Sequence, residues 1–333
     1  MPKHGLVQFL FRLLCTTIAF FFASSVPQGL GAQTNFPEKP IKLIVPFPAG
    51  GVNDVIGRIW AEGVSSQLGP VIIENRGGGG GMVGATEVAR SAPDGHTLLL
   101  GNTTTQVVGP KLVDPPPYDA VSSFEPISIL TVVPNAFAVH PSFPARNLQE
   151  LVAYAKQNPG KVSFGSAGKG SLTHIAGELL AISAGIELVH VPYRGVAPGL
   201  ADFVAGHVPM FSASVSAQFI DLHRAGKIRI IAINSQKRID AALDIPTTAE
   251  SGYPKLVITS FNGLFAPKGT PESVIKKIAA ATNVALKDEN VRKGLLNTGG
   301  VIESTDQHEK AVEVVKSEAT SWADRVVLLR GKI

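Results

Sequence analysis

The sequence predicts an α/β protein of two lobes, each a sheet flanked by helices, with two long strands crossing between them. Short apolar runs rich in β-branched residues alternate with helical patterns, which is typical of parallel α/β sheets. Two apolar stretches, residues 127–141 and 256–267, are longer than an ordinary strand. We interpret them as the crossings between lobes. The first lobe is then expected at residues 33–133 with 256–333, and the second at 134–255.

Each element of the alternation can be placed on the chain in order. The first part is predicted to contain strands at 41–47, 71–76 and 96–102, with helices at 53–68 and 82–90. The part between the long stretches repeats this style, with strands near 162–165, 188–191, 208–213 and 228–234 and helices between them. From Pro271, which is predicted to open a helix, the chain is mostly helical.

The first 32 residues have the pattern of a secretory signal peptide. Lys3 and Arg12 accompany an uncharged apolar run at 13–26, which is shorter than the about 20 residues that a membrane-spanning helix needs. Small residues follow the run. We expect cleavage after Ala32, with a site near 23–25 as the alternative, and therefore a periplasmic protein.

Charge and cysteine content exclude several classes of function. The formal net charge is +4, and removal of the two basic residues of the leader lowers it to +2. Basic residues form no stripe and do not interleave with aromatics, so nucleic acid is not an expected partner. Cys15 is the only cysteine, and lipid attachment would require a small residue where Leu14 stands. The mature chain is expected to lack disulfides and thiol chemistry.

Two glycine loops each follow a predicted strand and open a predicted helix. The first is PFPAGGVND (residues 46–54), and the second is GSAGKGSLTH (residues 165–174). Backbone N–H groups at a helix N-terminus lack intrahelical acceptors, and the helix dipole favours negative charge there. Glycine lets an anion approach that backbone closely. The loops therefore predict an anion site, with Ser171 as the N-cap of the second helix.

The second loop does not match the familiar phosphate-binding or nucleophile motifs. A Walker A loop requires serine or threonine after its lysine, but Lys169 is followed by Gly170. A nucleophile elbow requires glycine where Phe164 stands. His174 follows Ser171 without an evident orienting acid, so a packing role is favoured over catalysis. The histidines show no metal-ligand spacing, and we expect no metal, no cofactor and no catalytic residue.

Three features of the sequence each have two interpretations that it does not separate. The five glycines at 77–81 form either a flexible turn or an edge of the cleft. Asp54 is either a ligand group or a first-turn acid that braces its own loop. Lys169 either adds charge to the anion site or is a solvated lysine at a loop tip.

Five segments, taken in order over essentially the whole mature chain, resemble the Bug family. They are FPEKPIKLIVPFPAGGVNDVIGR, ENRGGGGGMVGATEVARSAPDGHTLLLGN, FGSAGKGSLTHIAGELL, VPYRGVAPGLADFVAGHVPMF and FNGLFAPKGTPESV. Members of this family are extracytoplasmic solute-binding proteins of tripartite tricarboxylate transporters. The resemblance implies a two-lobed periplasmic binding protein, expected to be a monomer, that closes on a small carboxylate. It also implies membrane permease subunits as partners.

Carried over by position, the resemblance implies three groups of ligand-binding residues. They are Phe47, Pro48, Ala49, Gly50, Gly51 and Asp54 in the first loop, Asn102, Thr103 and Thr104 after the third strand, and Ser166, Ala167, Gly168, Gly170, Ser171 and His174 in the second loop. The chain departs from the common family pattern at Ala49, Asn53, Gly78 and the pair Phe261–Asn262. The last departure lies on a crossing strand and is expected to affect the choice of ligand.

Binding without catalysis is the expected function, because no nucleophile–base–acid set is evident. One alternative is an extracytoplasmic hydrolase that uses Ser171 or Ser166 with His174. Another is a periplasmic subunit that presents its ligand to a membrane sensor kinase. The sequence does not separate transport from sensing, because both begin with closure of the same lobes.

Overall fold

The computed structural model describes residues 36–302, 308–330 and 333. The signal peptide expected at residues 1–32 lies outside these residues. Within them, ten strands form one curled mixed sheet in the order β2-β1-β3-β9-β4-β7-β5-β6, with β8 and β10 also paired to β4. The strands are β1 (Ile41–Val45), β2 (Val71–Asn75), β3 (Thr97–Asn102), β4 (Phe124–Val139), β5 (Val162–Ser166), β6 (Leu188–Pro192), β7 (Met210–Ser214), β8 (Arg229–Ile233), β9 (Thr259–Pro267) and β10 (Val301–Ile302).

Helices connect the strands and cover the faces of the sheet. They are α1 (Val52–Leu68), α2 (Met82–Ala89), α3 (Gly109–Leu112), α4 (Leu148–Gln157), α5 (Leu172–Ala184), α6 (Val196–Val204), α7 (Ala217–Arg224), α8 (Glu272–Ala285), α9 (Glu289–Leu296), α10 (His308–Ser321) and α11 (Ala323–Leu329). A single π-helical turn, Thr104–Val108, follows β3. In the part of the chain that the structure describes, no helix is both long and apolar enough to cross a bilayer.

Strand pairing divides the sheet into two halves. In the first half β1 is parallel to β2 and β3, and in the second half β5 is parallel to β6 and β7. These pairs follow the predicted βαβ pattern, since a helix connects strands that run in the same direction. The long strands, which interrupt the predicted alternation, have antiparallel neighbours. β9 is antiparallel to β3 and β4, and β4 is antiparallel to β7 and β8. β4 runs from the first half into the second, and β9 returns to the first half after β8, so neither strand completes a strand–helix–strand unit with a parallel neighbour.

The pairing of β4 changes at one point along its length. As far as Pro134 the strand pairs with β9, and from Asn135 it pairs with β7 and β8. The Asn135 amide donates to the carbonyl of Ile258, just before β9, at 2.9 Å. The change of partners along β4 therefore lies at the level of the sheet where β9 begins.

One buried apolar cluster extends through both halves and includes Ile44, Phe124 and Phe164. In the first half, Trp60 of α1 is buried, and its indole N–H donates to the Thr282 hydroxyl of α8 at 3.0 Å. The C-terminal helix α11 contacts both α3 and α5. A segment that the sequence assigned to the first lobe therefore reaches a helix assigned to the second.

Candidate ligand-binding cleft

A cavity of about 80 Å³, here called the inner cavity, lies where the loops of the two halves meet. The first half contributes the first glycine loop, the end of β3 and the inner face of β9. The second half contributes the second glycine loop, the start of α6 and the end of β7. None of the described residues that line this cavity carries a charged side chain. A bound anion would therefore be held by neutral donors.

Asp54 braces the first glycine loop. Its Oδ2 accepts from the Gly50 amide and from Nε of Arg58, both at 3.0 Å, and its Oδ1 accepts from Asn75 at 3.0 Å. The same Asn75 nitrogen also donates to the carbonyl of Phe47 at 3.0 Å. The carboxylate is buried against its own loop and does not line the inner cavity, although Phe47, nearby in that loop, does.

The charge of Asp54 is stabilised where it lies. Burial would by itself raise the pKa of this carboxyl. Hydrogen bonds from Arg58, the Gly50 amide and Asn75 outweigh that effect, and the pKa lies below its ordinary value. Asp54 is therefore ionised at neutral pH, and the loop keeps its shape.

Two hydroxyls hold the second glycine loop at the start of α5. The Ser171 hydroxyl accepts from the amide of His174, as predicted for an N-cap, and donates to the carbonyl of Gly168 at 2.7 Å. The Thr173 hydroxyl accepts from the amide of Ala167 at 2.9 Å. Ala167, Ser171 and Thr173 all line the inner cavity.

Two glycines of this loop have backbone angles that other residues avoid. Gly168 has φ +124° and Gly170 has φ +76°. A Cβ atom on Gly168 would also lie 2.8 Å from the carbonyl oxygen of Tyr193. This path therefore favours glycine at both positions, and at Gly168 a side chain would also clash with the backbone.

His174 packs beneath the loop and is 3% exposed. Its Nδ1 accepts from the Gly170 amide at 3.2 Å, and its Nε2 lies 3.6 Å from the carboxylate of Glu178. This pattern assigns the proton of the neutral ring to Nε2. The ring stacks on His190 with centroids 3.7 Å apart. His174 therefore supports the backbone of the loop and does not line the inner cavity.

The close serine–histidine contact in this region involves Ser166 and His190, which the sequence reasoning did not pair. The Ser166 hydroxyl lies 2.6 Å from Nε2 of His190, and Ser166 is fully buried. Burial first, and then the neighbouring His174, lower the pKa of His190 to about 4. Neither residue of the contact lines the inner cavity. A substrate in that cavity would not reach this pair.

The turn after β3 contributes two of its three predicted residues to the cavity wall. Asn102 and Thr104 line the inner cavity, whereas the Thr103 hydroxyl accepts from the amide of Phe261 at 3.1 Å and ties the turn to β9. The departures at Asn53 and Asn262 meet on this wall. The Asn53 side chain donates to Asn262 at 2.7 Å, so one amide pair joins the first loop to the crossing strand.

The sequence reasoning missed the start of α6. Gly195 to Pro198 line the inner cavity, and Gly195 is the N-cap with φ +118°. The segment VPYRGVAPG has the same strand–glycine–helix pattern as the two glycine loops, and this signal could have identified it. Ser214 on β7 and Ser260 on β9 were also missed, because a serine within a strand carries no distinguishing local pattern.

Three helices, α1, α5 and α6, thus begin at the inner cavity. Among the described residues, no side chain caps the N-terminus of α1 or α6. Their first amides remain available to an anion, and the helix dipoles favour its charge. Across residues 36–302 and 308–330, no group of three or more side chains is arranged to hold a metal ion.

Two sheet halves joined by crossing strands, with a neutral cleft at three helix N-termini, define a periplasmic binding protein of the two-lobed class. Residues 56–324 match the sequence profile of the tripartite tricarboxylate transporter family receptor, and the chain belongs to that family. It is 34% identical over 316 residues to the protein BugT of Bordetella pertussis, covering 94% of this chain and 95% of the relative. A UPF0065 protein of a Pseudomonas species is 37% identical, covering 94% and 92% of the two chains.

Solved structures agree with this assignment. The periplasmic binding protein BugD is 33% identical, with a TM-score of 0.81 over 88% of this chain and 97% of BugD. MatC from Rhodopseudomonas palustris, solved with bound malate, is 31% identical, with a TM-score of 0.83 over 87% and 100% of the chains. An R. palustris protein solved with adipate is 28% identical, with a TM-score of 0.82 over 88% and 98%. The resemblance to the Bug family and the two-lobed fold are both confirmed.

Proposed function

We propose that this protein captures a small carboxylate between its lobes in the periplasm and delivers it, as a monomer, to the permease subunits of a tripartite transporter. The observation that carries the proposal is the neutral inner cavity at the N-termini of α1, α5 and α6. Backbone amides at such termini bind carboxylates without a basic side chain. Malate and adipate in the related R. palustris structures support the same ligand class.

The predicted site residues take two roles in this proposal. Those that line the inner cavity contact the ligand, and the others hold the loops in shape. The first group is Phe47, Pro48, Ala49, Gly51, Asn102, Thr104, Ala167 and Ser171. The second group is Gly50, Asp54, Thr103, Ser166, Gly168, Gly170 and His174. The lobes correspond to residues 33–133 with 256–333 and to 134–255, which is supported by the change in the partners of β4 at Pro134.

Ligand binding is tested by thermal unfolding of the dialysed protein with mono-, di- and tricarboxylates and with their uncharged amides. A ligand present at 100 times its dissociation constant should add about 2.7 kcal/mol to the free energy of unfolding. The amides should have no effect, because the helix N-termini favour negative charge. Stabilisation by the amides alone would contradict a carboxylate site.

The contact through Ser171 gives a sharper test. We expect Ser171→Ala to weaken carboxylate binding about 5- to 30-fold in titration calorimetry, since it removes a hydroxyl that caps α5 and lines the cavity. The matched control is Ser183→Ala, on the exposed surface of the same helix. Ester hydrolysis by the wild-type protein that is lost in Ser171→Ala would instead support the hydrolase hypothesis.

Export and delivery require separate measurements. N-terminal sequencing of protein from a periplasmic extract should give a chain that begins between Ser24 and Gln33. Uptake of the bound carboxylate into vesicles that contain the permease subunits should require the added binding protein. An intact Met1 in the cytoplasm would overturn the proposed export.

A further inference from the structure

A second cavity, of about 520 Å³ and here called the outer cavity, adjoins the inner one. The two cavities share the walls formed by Phe47, Pro48, Ala167 and Gly195. Pro48 and Gly195 pack against each other in this shared wall, since a Cβ atom on Gly195 would lie 3.1 Å from the Pro48 ring. A ligand chain that extends from the inner cavity past Pro48 would enter the outer one.

The glycine run at 77–81 forms the roof of the outer cavity. Its residues Gly78 to Gly81 all have φ between +56° and +132°, which favours glycine. A Cβ atom on Gly80 would lie 2.9 Å from the backbone of Gly170 in the opposite half. The run therefore lies at the edge of the cleft, where it lets backbones of the two halves meet. This decides between the two interpretations of the glycine run.

The two cavities differ in charge. Lys169 and Arg194 line the outer cavity, and no acidic residue does so among the described residues. Both cations are exposed, and neither forms an ion pair with a described acidic side chain. The acids nearby have other partners, with Glu178 beside His174 and Asp202 accepting from the Tyr193 hydroxyl. The outer cavity is therefore the electropositive end of the cleft.

A third cavity, of about 180 Å³, adjoins the inner one on its other side and offers no such charge. Its lining combines apolar residues such as Val55, Leu200 and Phe219 with neutral polar ones such as Gln218 and Asn297, and no described residue around it is charged. A second carboxylate placed there would meet neutral groups only, as the first does in the inner cavity, whereas the outer cavity adds two cations. Of the two extensions, the outer cavity is the one that suits a second anionic group.

We propose that Lys169 and Arg194 in the outer cavity bind the second carboxylate of an elongated dicarboxylate whose first carboxylate occupies the inner cavity. The inference rests on the proposed function. It assigns discrimination between di- and monocarboxylates to these two side chains, while the helix N-termini hold the first carboxylate. Lys169 then contributes to the binding of dicarboxylates and does not contribute to the binding of monocarboxylates.

The test compares ligands of equal chain length that differ by one charge. Succinate with butyrate, adipate with hexanoate, and suberate with octanoate are titrated into the wild type, Lys169→Gln, Arg194→Gln and the double variant. At the length that reaches the outer cavity, each single variant should weaken dicarboxylate binding up to about fivefold, and the double variant more, because exposed ion pairs contribute modestly. Monocarboxylate affinity should stay within about twofold. The matched control is Lys161→Gln, an exposed lysine just before β5 that lines neither cavity.

Salt provides a second readout. Raising the ionic strength should reduce the difference between di- and monocarboxylates in the wild type and leave the double variant nearly unchanged, since screening acts on exposed charges. Unchanged dicarboxylate affinity in the double variant at every length would overturn this inference and leave the proposed function intact. Equal weakening of both ligands would overturn it as well. Absence of binding by any carboxylate to the wild type would overturn the proposed function itself.

Discussion

At the scale of single residues, Asp54 shows how a charged side chain can shape a neutral ligand site. Its carboxylate accepts from Gly50, Arg58 and Asn75 and lies outside the cavity that its loop encloses. The loop amides that Asp54 does not use stay free for the ligand. The negative charge of Asp54 is also kept away from a bound anion, because the carboxylate pairs with the Gly50 amide and with Arg58.

Replacing this brace should lower stability and binding together. We expect Asp54→Asn to reduce the free energy of unfolding in urea by about 1–3 kcal/mol, because an amide cannot accept from all three donors and leaves a buried one unpaired. Carboxylate affinity should fall as the first loop loosens. Asp324→Asn, an exposed acid in the first turn of α11, serves as control. Wild-type stability in Asp54→Asn would show that the brace contributes nothing.

The pH dependence of Asp54 follows from the direction of its shift. Its pKa in the folded protein lies below the ordinary 3.8, so its stabilising contribution is complete above pH 3.8. That contribution should disappear as the pH falls through the lower folded value. Urea unfolding of the wild type and Asp54→Asn below pH 4 should therefore converge.

His190 should make the stability of the protein depend on pH over a different range. Its pKa in the folded protein is about 4, against an ordinary 6.5, because it is half-buried and stacks on His174. Ser166, Glu178 and Lys169 are its other polar neighbours. Since the unfolded chain binds a proton first, stability should decrease as the pH falls from about 6.5 to about 4. His190→Gln should make this decrease shallower, and an imidazole signal of His190 titrating near 6.5 would contradict the burial.

At the scale of elements, the start of α5 depends on glycine at two positions for different reasons. Gly170 has φ +76° with open space around it, whereas Gly168 combines φ +124° with the nearby carbonyl of Tyr193. Gly170→Ala should therefore lower the free energy of unfolding by about 1 kcal/mol, because of its dihedral angle alone. Gly168→Val adds a clash with backbone and should abolish carboxylate binding in titration calorimetry.

Gly185, at the other end of α5, provides the control for backbone strain. It has φ +61° and nothing within 4 Å of a Cβ position. Gly185→Ala should lower the free energy of unfolding about as much as Gly170→Ala while leaving the affinity unchanged. Equal loss of affinity in both variants would mean that the loop responds only to global stability.

Local sequence patterns were sufficient to predict most helices and strands but not how these elements pair and pack. The strands β1, β2 and β8 follow runs rich in β-branched residues, and such information is local. The antiparallel direction of β9 was not predictable from its own residues, because it depends on the partner that the strand finds. The stack of His174 on His190 likewise depends on how α5 packs against β6, which places residues 16 positions apart together.

The site was predictable to a similar extent. Two loops were recognisable because a glycine loop between a strand and a helix suggests an anion site, and Ala167 and Ser171 in the second loop line the inner cavity. The same pattern at Gly195 was overlooked because a single glycine precedes that helix, whereas each recognised loop contains at least two. The interpretation of Asp54 required its hydrogen bonds, since a first-turn acid has the same sequence whether it faces a ligand or its own loop.

At the scale of the whole molecule, two features connect the halves and determine how they can move. The first is the pair of crossing strands, joined near Pro134 and Asn135 by the hydrogen bond to Ile258. The second is contact at the mouth of the cleft, where Gly80 meets Gly170. A hinge in the crossing strands would separate Gly80 from Gly170, because the crossing strands connect the two halves.

The last prediction concerns this closure and uses small-angle scattering. A saturating carboxylate should lower the radius of gyration of the wild type, since the ligand binds to both lobes. Gly80→Val should keep a larger radius in the presence of ligand and bind more weakly, because its side chain would meet the Gly170 backbone at 2.9 Å. Gly252→Val, which also has positive φ but no atom within 4 Å of the Cβ position, controls for strain. A wild type whose radius is unchanged by a bound ligand is either rigid or already closed when free. Gly80→Val separates these cases. If the variant has a larger radius of gyration than the wild type, the free wild type is already closed. If the variant has the wild-type radius and affinity, closure at this contact is excluded.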